Sequence, residues 1–168
     1  MNQGKEHLDK SAGSGALTVH YFEPGKRYKS KNILANNILA DLKGVLKIVD
    51  PYVDTGTLDV LSKASVKNDI QFLTRLDNLS GPKQNCFQRD MKEFKSEYPN
   101  IKVRNYSKSE IHDRYIISSD KLIILGHSLK DLGSKESFAI KLDKQTAGDV
   151  FDALVETFNR RWTSASQI

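Results

Sequence analysis

The sequence predicts an α/β domain, with a mixed, mainly parallel β-sheet and helices on both faces. Three observations predict it. Between residues 33 and 104, stretches of helical apolar period alternate with short β-prone runs, the pattern of parallel strands joined by crossover helices. Between 111 and 142, three β-prone runs follow one another too closely for helices to intervene, which adds antiparallel pairs to the same sheet. A chain of 168 residues, 38% of them hydrophobic, can also bury one proper core.

In chain order, residues 17–22 (Leu-Thr-Val-His-Tyr-Phe) form a β-prone run stopped by Pro24-Gly25. The basic cluster Lys26, Arg27, Lys29 and Lys31 follows, readable either as a solvated charge run or as an anion-binding rim. Ile33, Leu34, Ile38, Leu39 and Leu42 recur at helical spacing, with Gly44 as the stop. Residues 45–49 read as a strand closed by Asp50-Pro51, 57–64 as a helix and 70–74 as a strand. Gly81-Pro82 opens a helix carrying Phe87, Met91 and Phe94 on one face, and Pro99 ends it. Strands are expected at 101–104, 111–117, 122–125 and 138–142, the middle pair as a hairpin turning near Ser119-Asp120. A last helix places Val150, Phe151, Leu154, Phe158 and Trp162 on one face, with Trp162 in the core.

Net charge is +5, which suits an anionic partner such as phosphate, nucleic acid or acidic lipid, and equally suits an ordinary solvated surface. A single cysteine, Cys86, excludes an internal disulfide and a cysteine-rich zinc site; a reducing, cytoplasmic setting is expected. No apolar run approaches the roughly 20 residues of a membrane span. Residues 1–16 are polar and Gly/Ser-rich and read as a flexible tail or linker, leaving 17–168 as the domain.

The chemistry-bearing stretch begins at Ile111-His112-Asp113-Arg114 and runs to Gly126-His127-Ser128. In the strand expected at 111–117 alternate side chains share a face, so His112 and Arg114 point the same way. A guanidinium grips phosphate oxygens with its planar fork, and an imidazole can act as nucleophile or proton donor near neutral pH. Alone, such a pair also fits a solvated strand face. Asp50 and Tyr52 follow a strand end, where they either border a cleft or form a plain turn. No ligand cluster of metal-binding spacing accompanies His112-Asp113, so no metal or cofactor is expected.

These residues resemble the signature of the phospholipase D superfamily: H-x-K, four residues, D, then a Gly-Ser-x-Asn turn. His112 takes the place of the histidine, Arg114 of the lysine and Gly126 of the glycine. Ser119, His127 and Leu129 stand where the family has aspartate, serine and asparagine, and Asp120 falls one place late. The segment Gly126-His127-Ser128-Leu129-Lys130-Asp131-Leu132-Gly133 is similar to bacterial phospholipase D-like proteins. Asp50-Pro51-Tyr52-Val53, Phe72-Leu73-Thr74-Arg75-Leu76-Asp77 and the His-Asp-Arg run also resemble the phospholipase D-like C-terminal domain of MIT-domain proteins, regarded as a phosphoinositide binder rather than an enzyme.

The resemblance implies a phosphodiesterase acting on nucleic acid or phospholipid through a phosphohistidine. His112 would be the nucleophile, Arg114 the charge stabiliser and Glu136 the carboxylate orienting His112. Ser128, Lys130, His127, Asp50 and Tyr52 would contact substrate. With one motif per chain, it implies a homodimer whose second His112 supplies the proton, or, within one chain, His127 in that role. The alternative is a non-catalytic module that reads phosphate on membranes or nucleic acid.

Overall fold

A computed structural model of the chain describes residues 17–64 and 68–168; the expected tail at 1–16 lies outside them. The described residues form one eight-stranded sheet in the order β1-β7-β6-β5-β2-β3-β4-β8. The strands are β1 Leu17–Phe22, β2 Leu46–Val49, β3 Ile70–Thr74, β4 Ile101–Asn105, β5 Arg114–Ile117, β6 Lys121–Leu125, β7 Ser137–Asp143 and β8 Ser166–Gln167. The helices are α1 Arg27–Ile33, which runs on as a π-helical stretch Leu34–Leu39, then α2 Thr55–Ala64, α3 Gly81–Glu97, the short α4 Lys144–Ala147 and α5 Asp149–Ser164.

The expectation of a mainly parallel sheet is corrected. Only β2–β3 and β3–β4 pair in parallel; β1–β7, β7–β6, β6–β5, β5–β2 and β4–β8 are antiparallel. The two parallel pairs are those whose consecutive strands are joined by a crossover helix, α2 or α3, whereas a link as short as that between β5 and β6 permits only antiparallel pairing. The β5–β6 link is a tight hairpin in which Ser118 N–H donates to Lys121 O at 2.9 Å and Lys121 N–H donates to Ser118 Oγ at 3.0 Å.

Alternation along the strands sorts the interior into two cores. Leu46, Ile48, Ile70, Phe72, Ile116, Ile123 and Leu125 face α1 to α3, meeting Leu34, Ile38, Leu61, Phe87 and Met91. Val49, Leu73, Tyr115, Ile117 and Leu122 face α5, meeting Phe151 and Phe158. Each fully buried Phe, Leu or Ile contributes roughly 1.5–3 kcal/mol. Helices therefore cover both faces, as expected. Trp162 is half-buried, its ring 5.6 Å from that of Phe158, and Arg104 lies over it. In the basic cluster, Lys31 is buried against Asp59 at 2.6 Å, so it belongs neither to a solvated charge run nor to an anion-binding rim. Among the described residues no helix is long and apolar enough to cross a membrane.

Candidate functional site

The strand directions bring the carboxyl ends of β1, β2, β3 and β6 and the amino ends of β5 and β7 to one edge of the sheet. Val49 pairs with Tyr115, so the same antiparallel register, carried one step further, sets Asp50 opposite Arg114. Since Ile48 and Ile116 point toward α1 to α3, alternation sends Asp50 and Arg114 to that side too.

Asp50 is fully buried. Its Oδ1 accepts the Tyr52 N–H at 3.0 Å and its Oδ2 the Leu129 N–H at 2.7 Å, and Ser128 supplies a hydroxyl bond. Arg114 Nε donates to Ser128 Oγ at 3.3 Å. The Ser128 hydroxyl thus bridges the two: it accepts from Arg114 and donates to Asp50. Desolvation dominates at Asp50 and raises its pKa to about 6, against the opposing pull of these hydrogen bonds and of the Arg114 charge. The guanidinium lies over the Tyr52 ring, 5.2 Å from its centroid, which fixes its plane. Among the described residues the two terminal nitrogens of Arg114 carry no hydrogen bond, leaving the fork that would hold two oxygens of an anion.

The segment after β6 is built to make this possible. Gly126 donates its N–H to Phe138 O at 2.8 Å, and a Cβ on it would lie 2.8 Å from Ser137 Oγ. Gly133 has φ +77°, and a Cβ there would lie 2.7 Å from the backbone Cα of Arg27. Leu129 and Leu132 are buried between these glycines. The glycine and leucine pattern read from the sequence therefore encodes a loop that turns the Leu129 N–H and the Ser128 hydroxyl inward onto Asp50.

His112 sits on the same edge, two residues before β5 and exposed. The strand begins at Arg114 and not at 111 as expected, so strand alternation does not extend to His112. The loop that carries it is anchored from below. Ile111 is buried, Glu110 accepts the Tyr106 hydroxyl at 2.8 Å, and Arg161 Nε of α5 lies 3.8 Å from the same carboxylate. Among the described residues the His112 ring makes no hydrogen bond.

Glu136 has other partners. Its carboxylate accepts the Tyr21 hydroxyl at 2.9 Å, a bond that is the first cause of a raised Tyr21 pKa. Its main-chain oxygen lies 2.6 Å from His127 Nε2. A carbonyl can only accept, so that nitrogen carries the proton. Lys130 is half-buried, with Nζ 2.8 Å from both carboxylate oxygens of Asp131. Ser119 and Asp120 lie in the β5–β6 hairpin at the opposite end of β5, away from Arg114. The structure thus brings together Arg114, Asp50, Ser128 and Tyr52, with His112 on the same edge. It joins Glu136 to Tyr21 and His127, a link across 115 residues that no local pattern signals. Among the described residues no three His, Cys, Asp or Glu side chains gather as a metal site.

Comparison with solved structures places this architecture. Nuc from Salmonella typhimurium, a phospholipase D family member, superimposes with TM-score 0.67 at 13% identity, over 92% of this chain and 99% of that one. The fold is phospholipase D-like. NucT from Helicobacter pylori shares it with TM-score 0.62 at 12% identity, over 92% of this chain and 100% of that one. Phosphatidylserine synthase from Haemophilus influenzae shares it with TM-score 0.63 at 10% identity, over 94% of this chain and 41% of that one. TrmBL2, an archaeal chromatin protein whose structure shows a mode of DNA binding, aligns with TM-score 0.55 at 13% identity, over 96% of this chain and 57% of that one. No protein-family model and no curated protein matches the sequence itself. What is shared is the phospholipase D-like fold.

Proposed function

We propose that this phospholipase D-like domain binds a phosphodiester of nucleic acid or phospholipid at Arg114 and cleaves it through His112. The observation that carries the reading is the fixed guanidinium. Asp50, Ser128 and Tyr52 hold Arg114 in one pose with its terminal nitrogens unbonded, and the exposed His112 stands two residues away on the same edge. The neighbours include a phospholipase D family member, a phosphatidylserine synthase and a DNA-binding chromatin protein, which suits an anionic phosphate ligand.

In the proposed reaction a neutral imidazole nitrogen of His112 attacks phosphorus. A P–N bond forms, the P–O bond to the leaving group breaks, and that oxygen takes a proton from a second imidazole. Water then attacks phosphorus, gives its proton to the second imidazole, and the P–N bond breaks. Arg114 neutralises charge on the non-bridging oxygens throughout. A second copy of the chain would supply the second imidazole, its own His112, in a homodimer. His127 is the weaker candidate, because its Nε2 proton is already given to the Glu136 carbonyl.

A second reading, a phosphate-recognition module without turnover, is favoured by one observation: the Glu136 carboxylate is engaged by Tyr21 and not by the His112 ring. Incubation with a chromogenic phosphodiester and with nucleic acid in EDTA separates the two. Turnover abolished by His112→Ala supports the enzyme. Saturable binding that weakens steeply with salt, without turnover, supports the module. Turnover unaffected by His112→Ala removes His112 as nucleophile.

A further inference from the structure

A groove of about 640 Å³ opens beside the Arg114 site, between the start of α2 and the start of α3. That volume lies within the usual range for small-molecule sites, roughly 300–1,000 Å³. Tyr52 and Lys130 line it, so it is continuous with the phosphate edge: the ring that faces the Arg114 guanidinium also forms the groove wall. Its accessible apolar lining is Leu79, Pro82 and the Tyr52 ring, laid over the buried Val53 and Phe87. Its rim carries two lysines: Lys83 is exposed on the α3 side, and Lys130, ion-paired with Asp131, lies on the other. The one carboxylate in the lining, Asp54, is turned back to cap its own helix, accepting the Gly56 N–H at 2.7 Å.

We infer that this groove is a nucleotide subsite. It takes the base and sugar next to the phosphate held by Arg114 and so selects single-stranded nucleic acid. The inference rests on the phosphate reading of Arg114 given above. An exposed aromatic ring, an apolar lining and flanking cations are the elements that hold an unstacked strand. The room suffices for about one or two nucleotides and not for a duplex. A phospholipid fits less well. Its acyl chains stay in the bilayer, and a small polar headgroup would leave Leu79, Pro82 and the Tyr52 ring uncovered.

The single cysteine of the chain, Cys86, is exposed in the groove lining and serves as a reporter. The test measures its reaction rate with a disulfide reagent in the folded protein, with hexathymidylate, inorganic phosphate or phosphatidylglycerol vesicles added. Hexathymidylate is expected to slow the reaction saturably by roughly fivefold or more, while inorganic phosphate leaves it unchanged. Ser80→Trp, at the exposed rim, is expected to weaken hexathymidylate binding about tenfold and to leave phosphate binding intact. Hexathymidylate that binds without shielding Cys86, or vesicles that shield it when the oligonucleotide does not, would overturn the subsite. Phosphate binding sensitive to Arg114→Ala, measured in parallel, separates the two levels. Its presence without shielding defeats the groove alone, and its absence defeats the phosphate reading beneath it.

Discussion

Asp50 lies opposite Arg114 where β2 and β5 leave the sheet, and the Ser128 hydroxyl joins the buried carboxylate to the guanidinium. This arrangement has two consequences. The carboxylate ties its own turn to the loop after β6, by accepting the Tyr52 and Leu129 amides and by holding Ser128. It also partly offsets the Arg114 charge, so an anion bound there would meet an arginine that is fixed but not naked.

The first prediction concerns pH. The Asp50 pKa is raised to about 6 from 3.8, so the folded chain holds a proton that the unfolded chain has lost between those values. Its contribution is therefore fully present below pH 3.8 and is lost as pH rises through about 6, a cost on the order of 3 kcal/mol at neutral pH. Asp50→Asn removes this titration. The difference in unfolding free energy between wild type and Asp50→Asn should shift in favour of the variant as pH rises from 4 to 7, by chemical denaturation. A difference that stays flat would contradict the assignment.

The second prediction separates the loop glycines. Gly133→Ala forces a Cβ against the Arg27 backbone at a positive φ, whereas the Gly126 clash is chiefly with the movable Ser137 hydroxyl. Gly133→Ala should destabilise the fold by about 2 kcal/mol or more, and Gly126→Ala by less. Thermal unfolding of the two variants gives the order.

A third prediction tests the anchor beneath His112. Arg161→Ala removes a charge facing Glu110 and leaves Tyr106 as the remaining hold on that carboxylate. Amide exchange across 107–113 should accelerate by roughly tenfold while β2 and β3 stay protected. Uniform acceleration throughout the chain would mean that Arg161 supports the whole α5 core instead.

Much of the fold was legible because its signals are local. β1 and β3 fall at their expected bounds, and β2, α3 and α5 begin or end within a few residues of them, since apolar period and Gly/Pro stops are written along the chain. The parallel pairs β2–β3 and β3–β4 and the antiparallel run β5–β6–β7 were legible; the antiparallel pairs β1–β7, β2–β5 and β4–β8 were not, because they depend on which distant strands become neighbours. β5 is shorter than its apolar run because Ile111 is drawn into the α5-side core with the Glu110 anchor, which ends the ladder before His112. At the site, Arg114 and Ser128 could be read from the motif spacing. The depth of Asp50 had only a faint signal, an acidic residue closing a buried strand before proline. The Tyr21–Glu136 bond and the groove lining at Asn78, Ser80 and Lys83 had none, because each depends on distant segments meeting.

The central claim, that Arg114 receives phosphate in a pose set by Asp50 and Ser128, is tested most directly by the Arg114 Nε–H resonance. Titration of the protein with inorganic phosphate, followed by ¹⁵N–¹H NMR, should move that signal and the Ser128 and Leu129 amides together to a common saturation. Ser128→Ala should weaken the response about tenfold, and Arg114→Ala should abolish it. Phosphate that shifts signals elsewhere while Arg114, Ser128 and Leu129 stay fixed would contradict the account.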